Sequence, residues 1–168
     1  MKTLKYIIGL CFVLGMGFGS ALGQGIESCT QCICVADGSC DGNISSCNGF
    51  DSGCAAQTFT AQCSGSYSLR YSLSCSGETC NECFACVFVT DSEGQVIGVC
   101  HSDCANSDCE GDCTNQAPLT ANERYKLYVC LRACEGGSCE ECEGCVARGY
   151  VYNGSFSTSC DSIPSCNP

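Results

Sequence analysis

The sequence predicts a small, disulfide-rich, mainly β fold built from tandem cysteine-rich modules. Three observations carry this. Twenty-three of the 168 residues are cysteine. The pattern Cys-x-x-Cys-x-x-Cys-Val occurs twice, at Cys80, Cys83 and Cys86 and again at Cys139, Cys142 and Cys145. Between the cysteines, apolar residues alternate with polar ones and are interrupted by turn residues, the period of a half-buried strand.

The first segment lies outside that fold. Residues 1–23 carry Lys2 and Lys5, an apolar run from Tyr6 to Phe18, and a small-residue end at Ala21 and Gly23. This is the anatomy of a secretory signal peptide, with cleavage expected before Gln24. An uncleaved anchor would need about 20 solid apolar residues, and glycines interrupt this run. Cleavage leaves 145 residues with 22 cysteines, five Lys/Arg and 18 Asp/Glu, a net charge of −13. About 15% cysteine marks a disulfide scaffold, and an even count suits full pairing in an oxidising compartment. Leu, Ile, Val and Phe make up only about 16% of the mature chain, too little to offset backbone entropy of about 1–2 kcal/mol per residue by burial alone. Crosslinks, each typically worth about 2–4 kcal/mol, are expected to supply the difference.

Three units are expected, at 26–58, 59–111 and 112–168. They hold 6, 8 and 8 cysteines, so each has the means to close its own bridges. The first runs Cys29, Cys32, Cys34, turns at Asp37-Gly38, and offers Cys47 and Cys54 as closing partners. The second opens on a strand with Tyr67, Leu69, Tyr71 and Leu73 on one face. Its triplet leads into the hairpin VFVT-DSEG-QVIGV, closed by Cys100. In the third, Thr120-x-x-Glu123 has the form of a capping box. Tyr125, Tyr128, Val129 and Arg132 follow at helical spacing, so one short helix is expected near 120–133. Its triplet leads into VARGYVY-NG-SFSTS and Cys160. There Asn153-Gly154 is a strong hairpin signal, with Tyr150, Tyr152 and Phe156 on one covered face.

Each triplet reads as the disulfide knot of its unit, sending bonds to separate elements. Tetrahedral zinc also suits Cys-x-x-Cys spacing and stands as the alternative. A bacterial cluster motif would need a further cysteine four residues on, where Thr90 and Gly149 stand. The aromatic content speaks against a metallothionein, and no βαβ pattern surrounds the motifs as in a redox enzyme. His101 is the single histidine, read as a loop residue rather than a general base. Asp103, Asp108, Glu110 and Asp112 fall in one short cysteine-bounded stretch. Hard oxygen donors there would suit a weak calcium site; no other cofactor is expected. Asn43 and Asn153 begin glycosylation sequons.

The negative charge argues against nucleic acid and anionic membranes as partners. The function expected is that of a secreted, extracellular, acidic and crosslinked structural protein without catalytic activity. It would serve a matrix, shell, wall or adhesive deposit, with an extracellular protein, polysaccharide or mineral surface as partner. The tyrosines would aid adhesion or crosslinking where exposed, although alternating tyrosines more often pack a core. The alternative is a secreted binding module such as a protease inhibitor, toxin or effector, with Arg70 or Arg148 as a specificity residue.

Overall fold

The computed structural model describes residues 29–43, 47, 53–76, 82–104, 109–163 and 166, apart from the side chains of Asp41, Asn43 and Thr114. The expected signal peptide, Cys80 and Asp108 lie outside them. The chain runs β1 (Gln31–Asp37), β2 (Cys40–Asn43), β3 (Ala55–Thr60), β4 (Gly65–Cys75), β5 (Cys83–Thr90), β6 (Val96–His101), β7 (Glu110–Leu119), β8 (Arg124–Ala133), a 3-10 turn at Cys139–Cys142, β9 (Cys145–Asn153) and a short helix α1 (Phe156–Cys160). The mainly β, disulfide-rich fold is therefore observed.

The strands form two sheets. One has the order β1-β9-β4-β7, all antiparallel. The other has the order β2-β8-β5-β6, with β3 also pairing β8. Because β5 lines one edge of β8, β2 and β3 share the opposite edge. There β3 runs antiparallel along Arg124–Val129 and β2 parallel beside Leu131–Ala133.

The two sheets pack face to face. Tyr67, Leu69, Tyr71 and Leu73 of β4 enter the shared core together, as their alternation predicts. Facing them are Ala85, Val87 and Val89 of β5 and Leu127, Val129 and Leu131 of β8. Strand β5 is buried on both sides. Its even-numbered residues Phe84, Cys86 and Phe88 form a second cluster with Cys130 on the outer face. Gly149 of β9 marks a close approach: a Cβ there would stand 2.9 Å from Val87 Cγ1 and 3.2 Å from Val129 Cβ.

Three expectations are corrected. Residues 124–133 are a strand, not a helix. Tyr125, Leu127, Val129, Leu131 and Ala133 are all buried, a period of two that outweighs the helical spacing of Tyr125, Tyr128, Val129 and Arg132. The expected capping box is a turn, with Glu123 N donating to Thr120 O at 3.2 Å and Asn122 at φ 68°. The first hairpin forms as expected, β5 with β6, but after Asn153-Gly154 the chain enters α1 instead of a return strand. Both edges of β9 are already occupied, by β1 and β4.

The third correction concerns closure of the units. All six cysteines of residues 26–58 bond outside that unit: Cys29–Cys63, Cys32–Cys160, Cys34–Cys166, Cys40–Cys139, Cys47–Cys86 and Cys54–Cys130. Cys75–Cys145, Cys83–Cys142, Cys100–Cys113 and Cys104–Cys134 join the second unit to the third. The physical reason is strand order. Apart from the β5–β6 hairpin, neighbours in each sheet come from distant parts of the sequence, and so do most of the cysteines that meet. The boundary drawn between 111 and 112 falls inside β7.

Candidate functional site

The two triplets meet. Their middle members form Cys83–Cys142, and Cys83 Sγ lies 3.3 Å from Cys145 Sγ. In the second triplet, Cys139 bonds to Cys40 at the head of β2, Cys142 to β5, and Cys145 to Cys75 at the end of β4. Three elements are thus pinned at one point. Among the described residues, Cys75, Cys83 and Cys145 are the one group of metal-ligating side chains that converge, within 4.8 Å. All three are bridged, and a disulfide sulfur lacks the thiolate charge that zinc requires. Of the first triplet, Cys86 bonds to Cys47. Cys109 is disulfide-bonded as well.

The outer face of the first sheet carries a charged and aromatic cluster. Register places Arg70 of β4 between Asp112 of β7 and Tyr150 of β9. Its Nη1 donates to Asp112 Oδ2 at 3.0 Å and its Nη2 to Glu110 Oε2 at 2.8 Å. The guanidinium also lies 4.6 Å from the Phe156 ring centre, within cation–π range. Phe156 meets Tyr150 and Tyr152 edge-on at 5.0 and 5.1 Å. The expected covered face is therefore real, with α1 supplying its lid. Tyr152 Oη donates to Asp112 Oδ1 at 3.1 Å. Burial pulls the Arg70 guanidinium down, but Asp112 and Glu110 more than reverse this, so it sits above its ordinary value. Burial raises both tyrosines, and the Asp112 charge raises Tyr152 further.

The acidic stretch is thereby divided. Glu110 and Asp112 face Arg70 on β7, while Asp103 follows β6 in a groove with His101 and Glu135. The His101 ring stacks on Phe84 at 5.4 Å, and its Nδ1 lies 3.1 Å from Ser102 O. Arg148 Nε donates to Cys166 O at 3.2 Å. Arg70 and Arg148 thus sit on strands, held by the chain itself, rather than on a presented loop. Of the tyrosines, Tyr67, Tyr71 and Tyr125 are core residues, whereas Tyr128 and Tyr150 are half-buried. Asn153 Nδ2, the atom that would carry a glycan, donates to Cys63 Sγ at 3.2 Å. Asn43 ends β2, and its side chain is outside the described residues.

Several polar anchors have no sequence signature. Gln31 is 8% exposed. Its Nε2 donates to Thr60 O at 2.9 Å, and its Oε1 accepts from Gln62 N and Tyr67 Oη, both at 3.0 Å. Asp37 was legible as a turn residue, and Ser39 N does donate to its Oδ1 at 3.0 Å. Its second oxygen reaches the other sheet, which local sequence does not reveal. Arg132 is buried on the outer face of the second sheet, with Nη2 donating to Cys54 Sγ at 3.6 Å. Compared with known proteins, the chain matches no family model, no curated protein and no solved structure.

Proposed function

We propose that this is a secreted, acidic, crosslinked structural protein of an extracellular matrix, shell, wall or adhesive deposit, without catalytic activity. The observation that carries the reading is the bridge pattern. Every described bridge of the first unit leaves that unit, with sequence separations up to 132 residues. The result is one continuously tied body rather than a string of flexible beads. Crosslinking on this scale is typical of extracellular proteins. A body so tied resists local opening, which suits persistence outside the cell.

The single histidine and two of the candidate acids have partners within the chain. The imidazole is stacked on Phe84, and Glu110 and Asp112 are paired with Arg70. The acids that remain exposed, among them Glu135, Glu140 and Glu143, suit diffuse attraction to cations or a mineral face.

The test is retention. Purified, oxidised protein is incubated with cell-wall polysaccharide, matrix and mineral particles, then challenged with protease. Retention on one of these surfaces with resistance lost only on reduction is expected. Indifference to all of them, or rapid digestion of the oxidised form, would overturn the reading.

A further inference from the structure

Residues 24–168 hold five basic side chains, and three are held by the chain's own groups. Arg70 is ion-paired with Glu110 and Asp112, Arg132 is buried, and Arg148 bonds to Cys166 O. The remaining two, Arg124 and Lys126, are in no ion pair among the described residues, and they share one cleft.

That cleft, of about 320 Å³, lies at the start of β8 on the outer face of the second sheet. Register explains its composition. Lys126 is flanked by Thr58 of β3 on one side and Thr90 of β5 on the other. The turn after β5 forms the end wall with Asp91 and Ser92. Asp91 Oδ1 accepts from Glu93 N and Gln95 N, both at 2.9 Å, which leaves Oδ2 as the oxygen available to a ligand. Tyr128 makes the floor, stacked on Phe88 at 4.8 Å, with Lys126 Nζ 4.8 Å from its ring centre.

We propose that this cleft binds an acidic saccharide unit, a uronate or sulfated hexose, of an extracellular polysaccharide. The proposal names a partner for the structural reading above and rests on it. An alkyl or aromatic ligand would strand these hydroxyls and charges without partners. An inorganic anion would use the two cations but not Asp91. A saccharide acid uses both: its carboxylate or sulfate meets the Arg124 and Lys126 donors, and its ring hydroxyls pair with threonine, serine and Asp91 oxygens. The volume falls in the range of small-molecule sites. The strongly negative protein repels a long polyanion at a distance, so attraction is confined to the cleft and is best measured with short chains near physiological salt.

The experiment is calorimetric titration of the oxidised protein with a hexagalacturonate, a sulfated dextran hexamer and neutral cellohexaose. Binding of one acidic hexamer at least tenfold tighter than the neutral one is expected, and which of the two binds distinguishes carboxylate from sulfate. The double variant Arg124→Gln/Lys126→Gln should lose that binding at least tenfold. Arg70→Gln, which also removes positive charge, should keep it. The fold of each variant is checked by its circular dichroism and its non-reduced mass.

Equal affinity for the neutral hexamer, no binding at millimolar ligand, or retention by the double variant would each overturn the proposal. So would concentration-dependent self-association that the double variant abolishes, because the occupant would then be a second copy. If the double variant still adheres to matrix as the wild type does, the cleft assignment fails and the structural reading stands.

Discussion

Leu131 N donates a hydrogen bond to Asp37 Oδ2 at 3.2 Å, joining the end of β1 in one sheet to β8 in the other. Both residues are buried, Asp37 at 5% exposure. Removing the carboxylate leaves a buried N–H without its acceptor and releases the turn at Ser39. Asp37→Ala should therefore lower stability by about 1–3 kcal/mol, read as a shift in the guanidinium unfolding midpoint of the oxidised protein. Asp37→Asn keeps an acceptor oxygen and should lose less. Equal midpoints for wild type and Asp37→Ala would show that the bond contributes nothing.

Tyr150 and Tyr152 predict an alkaline limit. Burial raises both above the ordinary value of 10.0, and Asp112 adds to the effect at Tyr152. A group held protonated in the folded state stabilises it fully below its unfolded value. That contribution is lost as pH rises through the folded value. Stability attributable to these hydroxyls should thus be level at neutral pH and decline above about pH 10. The double variant Tyr150→Phe/Tyr152→Phe should decline less between pH 8 and pH 11 in chemical unfolding. An identical decline in wild type and variant would remove these residues from the explanation.

Glycosylation offers a sharper discrimination between the two sequons. Asn153 sits at the end of β9, paired with Gln31 of β1, and its Nδ2 packs against Cys63. A glycan on that nitrogen would have to displace the contact and the bridged loop behind it. Secreted from a eukaryotic host, the folded protein should carry no glycan at Asn153. Peptide mass mapping with and without a glycosidase checks this. An occupied Asn153 in correctly bridged protein would show that the contact does not block modification.

What the sequence reveals here is local. Alternation over Tyr67–Leu73 and the VFVT-DSEG-QVIGV hairpin were legible because each is set by adjacent residues and turn chemistry. The strand at 124–133 was missed because its apolar residues satisfy two periods over a short window. Choosing between them depends on β3 and β5 lying on either side, a non-local fact. Cysteine pairing is not legible for the same reason: counts of 6, 8 and 8 permit closure within units but do not impose it. At the site, the cation partners of Glu110 and Asp112 come from a strand some 40 residues upstream, Arg70 standing 40 and 42 positions away. Arg124 and Lys126 were legible as residues but not as neighbours of Thr58 and Asp91.

A close approach of the two sheets gives a last prediction, at Gly149. Its backbone needs no left-handed conformation, since it is not among the glycines with positive φ. The requirement for glycine is therefore steric. An added Cβ would meet Val87 Cγ1 at 2.9 Å, Val87 Cγ2 at 3.1 Å and Val129 Cβ at 3.2 Å. These are branched side chains on central strands, and Val87 and Val129 are themselves paired across β5 and β8. Neither can withdraw without moving a disulfide-tied strand, β5 through Cys83–Cys142 and Cys47–Cys86 and β8 through Cys54–Cys130. Gly149→Ala should cost about 1–3 kcal/mol, the range for overpacking a filled core. If the clash is the cause, Val87→Ala, itself destabilising through a cavity, should be less harmful in the Gly149→Ala background than alone. A double-mutant cycle reads this coupling directly. Strict additivity would mean that the glycine is required for some other reason, such as the pairing of β9 with β4, and that the sheets have room to separate.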